Sequence, residues 1–414
     1  MGSLRGNFIL LAGGSIGSQL LSAIAMWVFA RYTDPSQLGF ALSGMGIATL
    51  LLTTLDFGIN SLTIRTLARR PDETDVFTQT LSAKIFLSIL MGATWCIFIA
   101  GIASTTNSWW PLTLLGLYIV LSDTTQSVNV LARSGQRMSI VALTSVLDKA
   151  AMLAMTAVFF FCNQLTVTTY LIALTTGALV GLFTAWRFVP TGLRRIDPPT
   201  LAKIRRLLQD SKGFGLSSFA SQLQKADVTI VAVVAGNIAA GIFAAPARFT
   251  NFLGFVPLAL SGALYPKVSA STARNDVRRE VLRLVTWMEL GLAIPYVILF
   301  LGAETIINLV LGQDYADSVP VLRIILIGMV FASANSPLST LIQAEGREVA
   351  VARYVGVGSI IGLSTIALGA FIAQAEGAAF GFLAMQMFIT ATFTTDLITT
   401  SHLSPGSANT GDTL

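Results

Sequence analysis

The chain has 414 residues, 54% of them hydrophobic and 11% charged, with a mean hydropathy of +0.73. Its length would allow two or three soluble domains, but this composition excludes them, and its longest polar stretch, about 190–212, is too short to form one. The net charge of +5 does not imply nucleic acid, because the basic residues sit in loops, where they report insertion topology and contact with anionic lipid heads.

Twelve apolar segments follow in chain order, at 8–30, 38–63, 80–103, 111–131, 139–162, 168–189, 213–235, 241–265, 281–302, 320–341, 351–371 and 377–399. Each is long enough to span a hydrocarbon core of about 30 Å as a helix. Of the 26 Lys and Arg residues, 21 lie before the first segment, or in or within about five residues of every second gap. Basic loops stay on the cytoplasmic side, so the chain is expected to be a multi-pass protein of a bacterial inner membrane with both ends inside. Met1 to Arg5 resembles the basic edge of a signal peptide, but the apolar run after it is too long for one and is expected to be kept. Cys96 and Cys162 fall within spans, with neither a disulfide framework nor metal spacing.

The segment 201–212 differs from the spans. Leu201, Ile204, Leu207 and Leu208 share one helical face, with Lys203, Arg205, Arg206 and Lys212 off it, as in a helix lying in the inner headgroup layer. It divides the chain into six spans and six spans: bundles over 1–189 and 213–399, a linker over 190–212 and a polar tail over 400–414. The halves echo each other, Ser18-Gln19-Leu20 in span 1 recurring as Ser221-Gln222-Leu223 in span 7. The fold class is therefore all-α and integral to the membrane, about 12 transmembrane helices in two six-helix bundles around a central cavity.

Five cations lie away from the basic loops: Arg31, Lys149, Lys225, Arg248 and Arg323. A cation within a span costs about 2.5–3.5 kcal/mol on insertion scales and should face protein or water. Lys225 belongs to a stripe with Ser218, Ser221, Gln222 and Thr229, and Ser15, Ser18, Gln19 and Ser22 form its counterpart on span 1. Such stripes either bond helices together or line a wet cavity, and the cation favours the cavity. Arg248 either snorkels to the outer edge or joins that cavity, and Arg31 is either a boundary residue or part of the cavity mouth. Lys149 adjoins Asp148, but neighbours on a helix point about 100° apart; its partner is then a carboxylate on another helix, or a substrate. Asp123 and Asp227 are the carboxylates expected to exchange an ion during transport, with Asp56, Glu289 and Asp396 weaker candidates. An excess of interior cations suits an anionic ligand. There is no nucleophile–base pair, metal-ligand cluster or phosphate-binding Gly-rich loop, so neither catalysis nor a cofactor is expected.

The run Ala30-Arg31-Tyr32-Thr33-Asp34-Pro35-Ser36-Gln37-Leu38-Gly39-Phe40, continued by Leu55-Asp56-Phe57-Gly58-Ile59-Asn60, resembles the first outer loop and second span of Wzx-type polysaccharide flippases. Ala226-Asp227, Gly241-Ile242-Phe243-Ala244-Ala245 with Arg248, Ala263-Leu264-Tyr265-Pro266-Lys267 and Leu311-Gly312-Gln313-Asp314-Tyr315-Ala316 extend the resemblance through the second half. It implies the fold of the multidrug/oligosaccharidyl-lipid/polysaccharide exporter superfamily. It also implies a substrate of undecaprenyl-diphosphate carrying a short oligosaccharide, turned from the inner to the outer leaflet by alternating access. Carried over, Arg31, Lys225 and Arg248, with Lys149, would hold the diphosphate and sugar acids. Membrane lipids, a polysaccharide polymerase and export machinery are the expected partners, and nucleic acid is not. The alternatives are an ion-coupled multidrug exporter of the same fold, an integral membrane glycan polymerase or ligase, and a structural subunit of an export complex.

Overall fold

The computed structural model describes residues 4–70, 73–103, 109–269 and 274–402. Within them the elements are helical: α1 (Leu4–Tyr32), α2 (Pro35–Asp56), α3 (Ile59–Arg69), α4 (Thr74–Ala103), α5 (Trp109–Ser134), α6 (Met138–Phe161) and α7 (Val167–Arg187). They continue as α8 (Leu201–Gln222), α9 (Asp227–Thr250), α10 (Phe255–Ser269), α11 (Arg274–Leu301), α12 (Ala303–Val310), α13 (Ser318–Ala344) and α14 (Glu348–His402). Nine helical stretches among the described residues are long and apolar enough to cross a membrane. On α11 the exposed residues Trp287, Leu290, Ile294, Ile298 and Leu301 recur at the helical period, a surface that only lipid covers favourably. The chain is an all-α, multi-pass membrane protein.

Several expected segments have different boundaries. Span 2 breaks where Phe57 (φ 37) and Gly58 (φ 74) turn left-handed, giving α2 and α3. The helix expected over 201–212 continues to Gln222 as α8, followed by a 3-10 turn at Leu223–Ala226. Ser18-Gln19-Leu20 therefore lies inside a regular helix, and Ser221-Gln222-Leu223 lies where a helix changes pitch. Turns expected near residue 236 and at 374–376 correspond to breaks at Gly236 (φ 87) in α9 and at Ala373–Gln374 in α14. α12 and a short turn fill the expected outer loop 303–319.

Two compact units form, Met1–Ala232 and Val233–Leu414. In the first, α1 and α6 run parallel, with Gly14 against Ala142, Gly17 against Val146 and Tyr32 against Phe160. α7 returns antiparallel, held close by Gly177 and Gly181 at Asp148. Asp34 caps α2, accepting from the Gln37 amide at 3.0 Å, with Pro35 pre-set for the first turn. Leu67, Phe77, Leu81, Val128, Ala185 and Val189 bring α3, α4, α5 and the end of α7 into one core. In the second unit Leu264, Val281, Leu338, Ile342, Met385, Ile389 and Phe393 join α10, α11, α13 and α14.

Candidate functional site

The first unit contains a buried charge cluster. Lys84, ten residues into α4, has no exposed side-chain surface. Its Nζ donates to Asp123 Oδ1 on α5 at 2.7 Å and to Asp56 Oδ1 at the end of α2 at 3.3 Å. Ser88, one turn along α4, donates to Asp123 Oδ2 at 2.6 Å. Both carboxylate oxygens of Asp123, expected to exchange an ion, are therefore engaged by protein donors. Lys84 had been counted among the loop cations because it lies near the start of an apolar segment. It is instead an interior residue, since about ten residues at 1.5 Å each carry it some 15 Å along the helix. The signal available in the sequence was one Lys in a span whose neighbours in the bundle carry lone carboxylates, the pairing that charges within a membrane require.

Of the expected cavity cations, Lys149 lies on α6 with its Nζ 3.2 Å from Asp148 Oδ1. This corrects the expectation that adjacent residues cannot meet: the four-carbon Lys stem folds back across the angle between the two positions. The register set by Gly14–Ala142 and Gly17–Val146 puts Lys149 level with Leu20 and Leu21. Arg31 is exposed in the last turn of α1. It lies level with the end of α6, about 15 Å along the axis from Lys149, so the two could touch separate parts of one extended head group but not the same phosphate. Lys225 is exposed in the 3-10 turn. Its segment docks on α2, Thr229 Oγ1 donating to the Ser43 carbonyl at 2.9 Å and Gly46 lying against Thr229 and the Lys225 carbonyl. Arg248, exposed in the last turn of α9, belongs to the second unit.

The polar stripes divide between packing and open surface. Ser18 is buried and donates to the Ser15 carbonyl at 2.9 Å; Thr229 is committed to Ser43. Gln19 is exposed and Ser22 half-buried. Gln222 is partly buried, its Oε1 without a hydrogen-bond partner among the described residues. The side chains of Ser218 and Ser221 lie outside the described residues. Asp227 starts α9, its Oδ1 accepting from the Val228 amide at 2.7 Å.

Sequence reasoning also missed a cavity of about 960 Å³ in the first unit, lined by Leu67, Asn129, Ser134, Arg137, Ile140, Phe188 and Leu193 among others. It opens where α3, α5 and α7 reach their basic ends. In the second unit Arg347, between α13 and α14, grips Asp396 with both terminal guanidinium nitrogens, Nη1 to Oδ2 at 2.7 Å. Tyr354 donates to Asp396 Oδ1 at 2.7 Å, and the hydrogen bond to Asp396 raises the Arg347 pKa above its ordinary value. Among the described residues no group of three His, Cys, Asp or Glu side chains is placed to hold a metal ion.

Residues 4–272 match the family described as polysaccharide biosynthesis protein. The chain belongs to this family. Residues 216–368 also match MatE. An Escherichia coli (strain K12) protein named "Putative O-antigen transporter" is 23% identical over 330 residues, 78% of this chain and 79% of that one. Among solved structures, "Lipid II flippase MurJ, inward closed conformation" is similar with a TM-score of 0.77 and 13% identity, over 94% of this chain and 87% of that chain. An inward-facing multidrug resistance MATE family transporter of the MOP superfamily is similar with a TM-score of 0.74 and 18% identity, over 93% of this chain and 95% of that chain. Its fold is that of these transporters.

Proposed function

We propose that this protein turns an undecaprenyl-diphosphate-linked oligosaccharide from the inner to the outer leaflet of a bacterial inner membrane, for surface polysaccharide assembly. The observation that carries this reading is the family match over residues 4–272, and the O-antigen transporter relative agrees with it. The physical need is plain: each unpaired hydroxyl of a glycan costs several kcal/mol in hydrocarbon. A polar cavity opened alternately to each side removes that barrier while the lipid tail stays in the bilayer. In this reading two six-helix bundles over 1–189 and 213–399 enclose the cavity, with both termini cytoplasmic. Arg31, Lys225 and Arg248 meet the diphosphate and acidic sugars, and all three side chains are exposed. Lys149, bound to Asp148, contributes only when that pair opens.

The match of 216–368 to MatE favours a second reading, an ion-coupled drug exporter. One assay separates the two: leaflet accessibility of labelled lipid-linked oligosaccharide in vesicles holding wild type, Lys225→Ala or Arg248→Ala. Wild type is expected to move the lipid, and each variant to lose at least about tenfold in rate, the loss of one charge-assisted contact worth about 1.4 kcal/mol. Full translocation by both variants removes the site assignment. No translocation by wild type, with efflux of a cationic drug, establishes the exporter instead.

A further inference from the structure

Most interior carboxylates of this protein have a basic partner. Asp123 and Asp56 meet Lys84, Asp148 meets Lys149 and Asp396 meets Arg347. Glu289, midway along α11, does not follow this pattern. Its Oε1 accepts a hydrogen bond from Ser333 on α13 at 2.7 Å. Its Oε2 is buried and has no hydrogen-bond partner among the described residues. It is the only acidic residue of the apolar stretch 281–301.

The charged side chains described on the elements packed against α11 are occupied or located elsewhere. On α13 the only charged residue is Arg323, whose Nε donates to the Phe300 carbonyl, eleven residues beyond Glu289. On α12 the only one is Glu304, exposed in the first turn. On α10 it is Lys267, whose side chain lies outside the described residues. On α11 itself Arg283 is exposed, and Tyr296 is buried, its hydroxyl donating to the Met329 carbonyl at 3.4 Å and lying within reach of Ser333 and Glu289.

Two backbone carbonyls close by in sequence lack their helical partner. Pro337 has no N–H to offer the Ser333 carbonyl four residues before it, and Pro295 has none for Gly291. The Ser333 hydroxyl also lies 3.0 Å from the Val330 carbonyl, so its single proton can turn either way. When it points to Val330, the Ser333 oxygen is free to accept from a protonated Glu289. When it points to Glu289, it serves the ionised form. An ionised carboxylate without a counter-charge is costly in this setting, and a small cation at Oε2 removes the cost.

We infer that Glu289, between α11 and α13, is an exchange site for a small monovalent cation, a proton or a sodium ion, that neutralises its open oxygen. Its role as the coupling ion of lipid translocation rests on the function proposed above; its existence as a site does not. The test uses the wild-type protein in vesicles and dicyclohexylcarbodiimide, which attacks protonated carboxyl groups in apolar surroundings, with the adducts mapped by peptide mass. If the cation is a proton, modification of Glu289 exceeds that of exposed Glu304 and falls by about tenfold per pH unit above its midpoint. If it is sodium, modification at constant pH falls on adding sodium chloride and not on adding choline chloride. Modification no greater than at Glu304, or insensitive to both pH and sodium, overturns the proposal.

Glu289→Gln in the leaflet assay then reads the coupling: translocation by wild type responds to the gradient of that ion, and translocation by the variant does not. A variant that responds as wild type does overturns the coupling role. Protection at Glu289 in a wild type that moves no lipid-linked oligosaccharide leaves the ion site standing and sinks the flippase reading.

Discussion

Lys84 has no exposed surface and holds two carboxylates, so its removal leaves Asp123 buried with its main counter-charge gone. Breaking a buried ion pair from one side costs about 3–5 kcal/mol, whereas removing both partners together costs far less. Lys84→Met is therefore expected to lower the thermal midpoint of the detergent-solubilised protein sharply, and Lys84→Met with Asp123→Asn to recover most of the loss. Equal stability of Lys84→Met and wild type would remove the cluster from the structural core. The contrast with Glu289 follows from surroundings: one carboxyl is filled by Lys and Ser donors, the other has one oxygen left open. Sequence reading placed both in spans and ranked Asp123 first, because it could weigh a residue's type and depth but not its partner. Lys84 meets Asp56 and Asp123 from 28 and 39 residues away, a distance over which no local pattern carries information.

At the scale of elements, small residues set which helices touch. A Cβ at Gly177 would stand 2.6 Å from the Asp148 carbonyl oxygen, a backbone atom that cannot step aside. Gly177→Ala should push α7 off α6, at a cost of about 1–3 kcal/mol for an overpacked site. Ala at Gly13, which meets nothing within 4 Å, should leave the midpoint where it is. Most element positions were legible in the sequence, since an apolar run of about 20 residues in lipid has to satisfy its backbone as a helix. The α2–α3 elbow was not. Gly58 marks it, but the left-handed conformation at Phe57 requires its neighbours to enforce it. Nor was the run of α8 through to Gln222, because a basic amphipathic turn and an apolar one can share a single helix when both have something to pack on.

For the whole molecule, the basic-loop pattern makes a direct statement about orientation. In a Cys96→Ala, Cys162→Ala background, Gln164→Cys, exposed between α6 and α7, is expected to react with an impermeant maleimide in intact spheroplasts. Arg195→Cys, exposed after α7, should react only after permeabilisation, and the reverse pattern would invert the proposed topology. Sequence alone determined that this is an all-α, multi-pass membrane protein, where most of its apolar helices begin and end, and the family resemblance that the match over 4–272 bears out. Those properties follow from composition, run length and local motif, all of which act on residues close together in the chain. Tertiary structure decided which carboxylates are filled and which is open, that Lys149 turns to its own neighbour, and that Lys225 docks with α2. The filled carboxylates and the docking on α2 depend on distant segments meeting, and all three on a medium with no water to replace a missing partner.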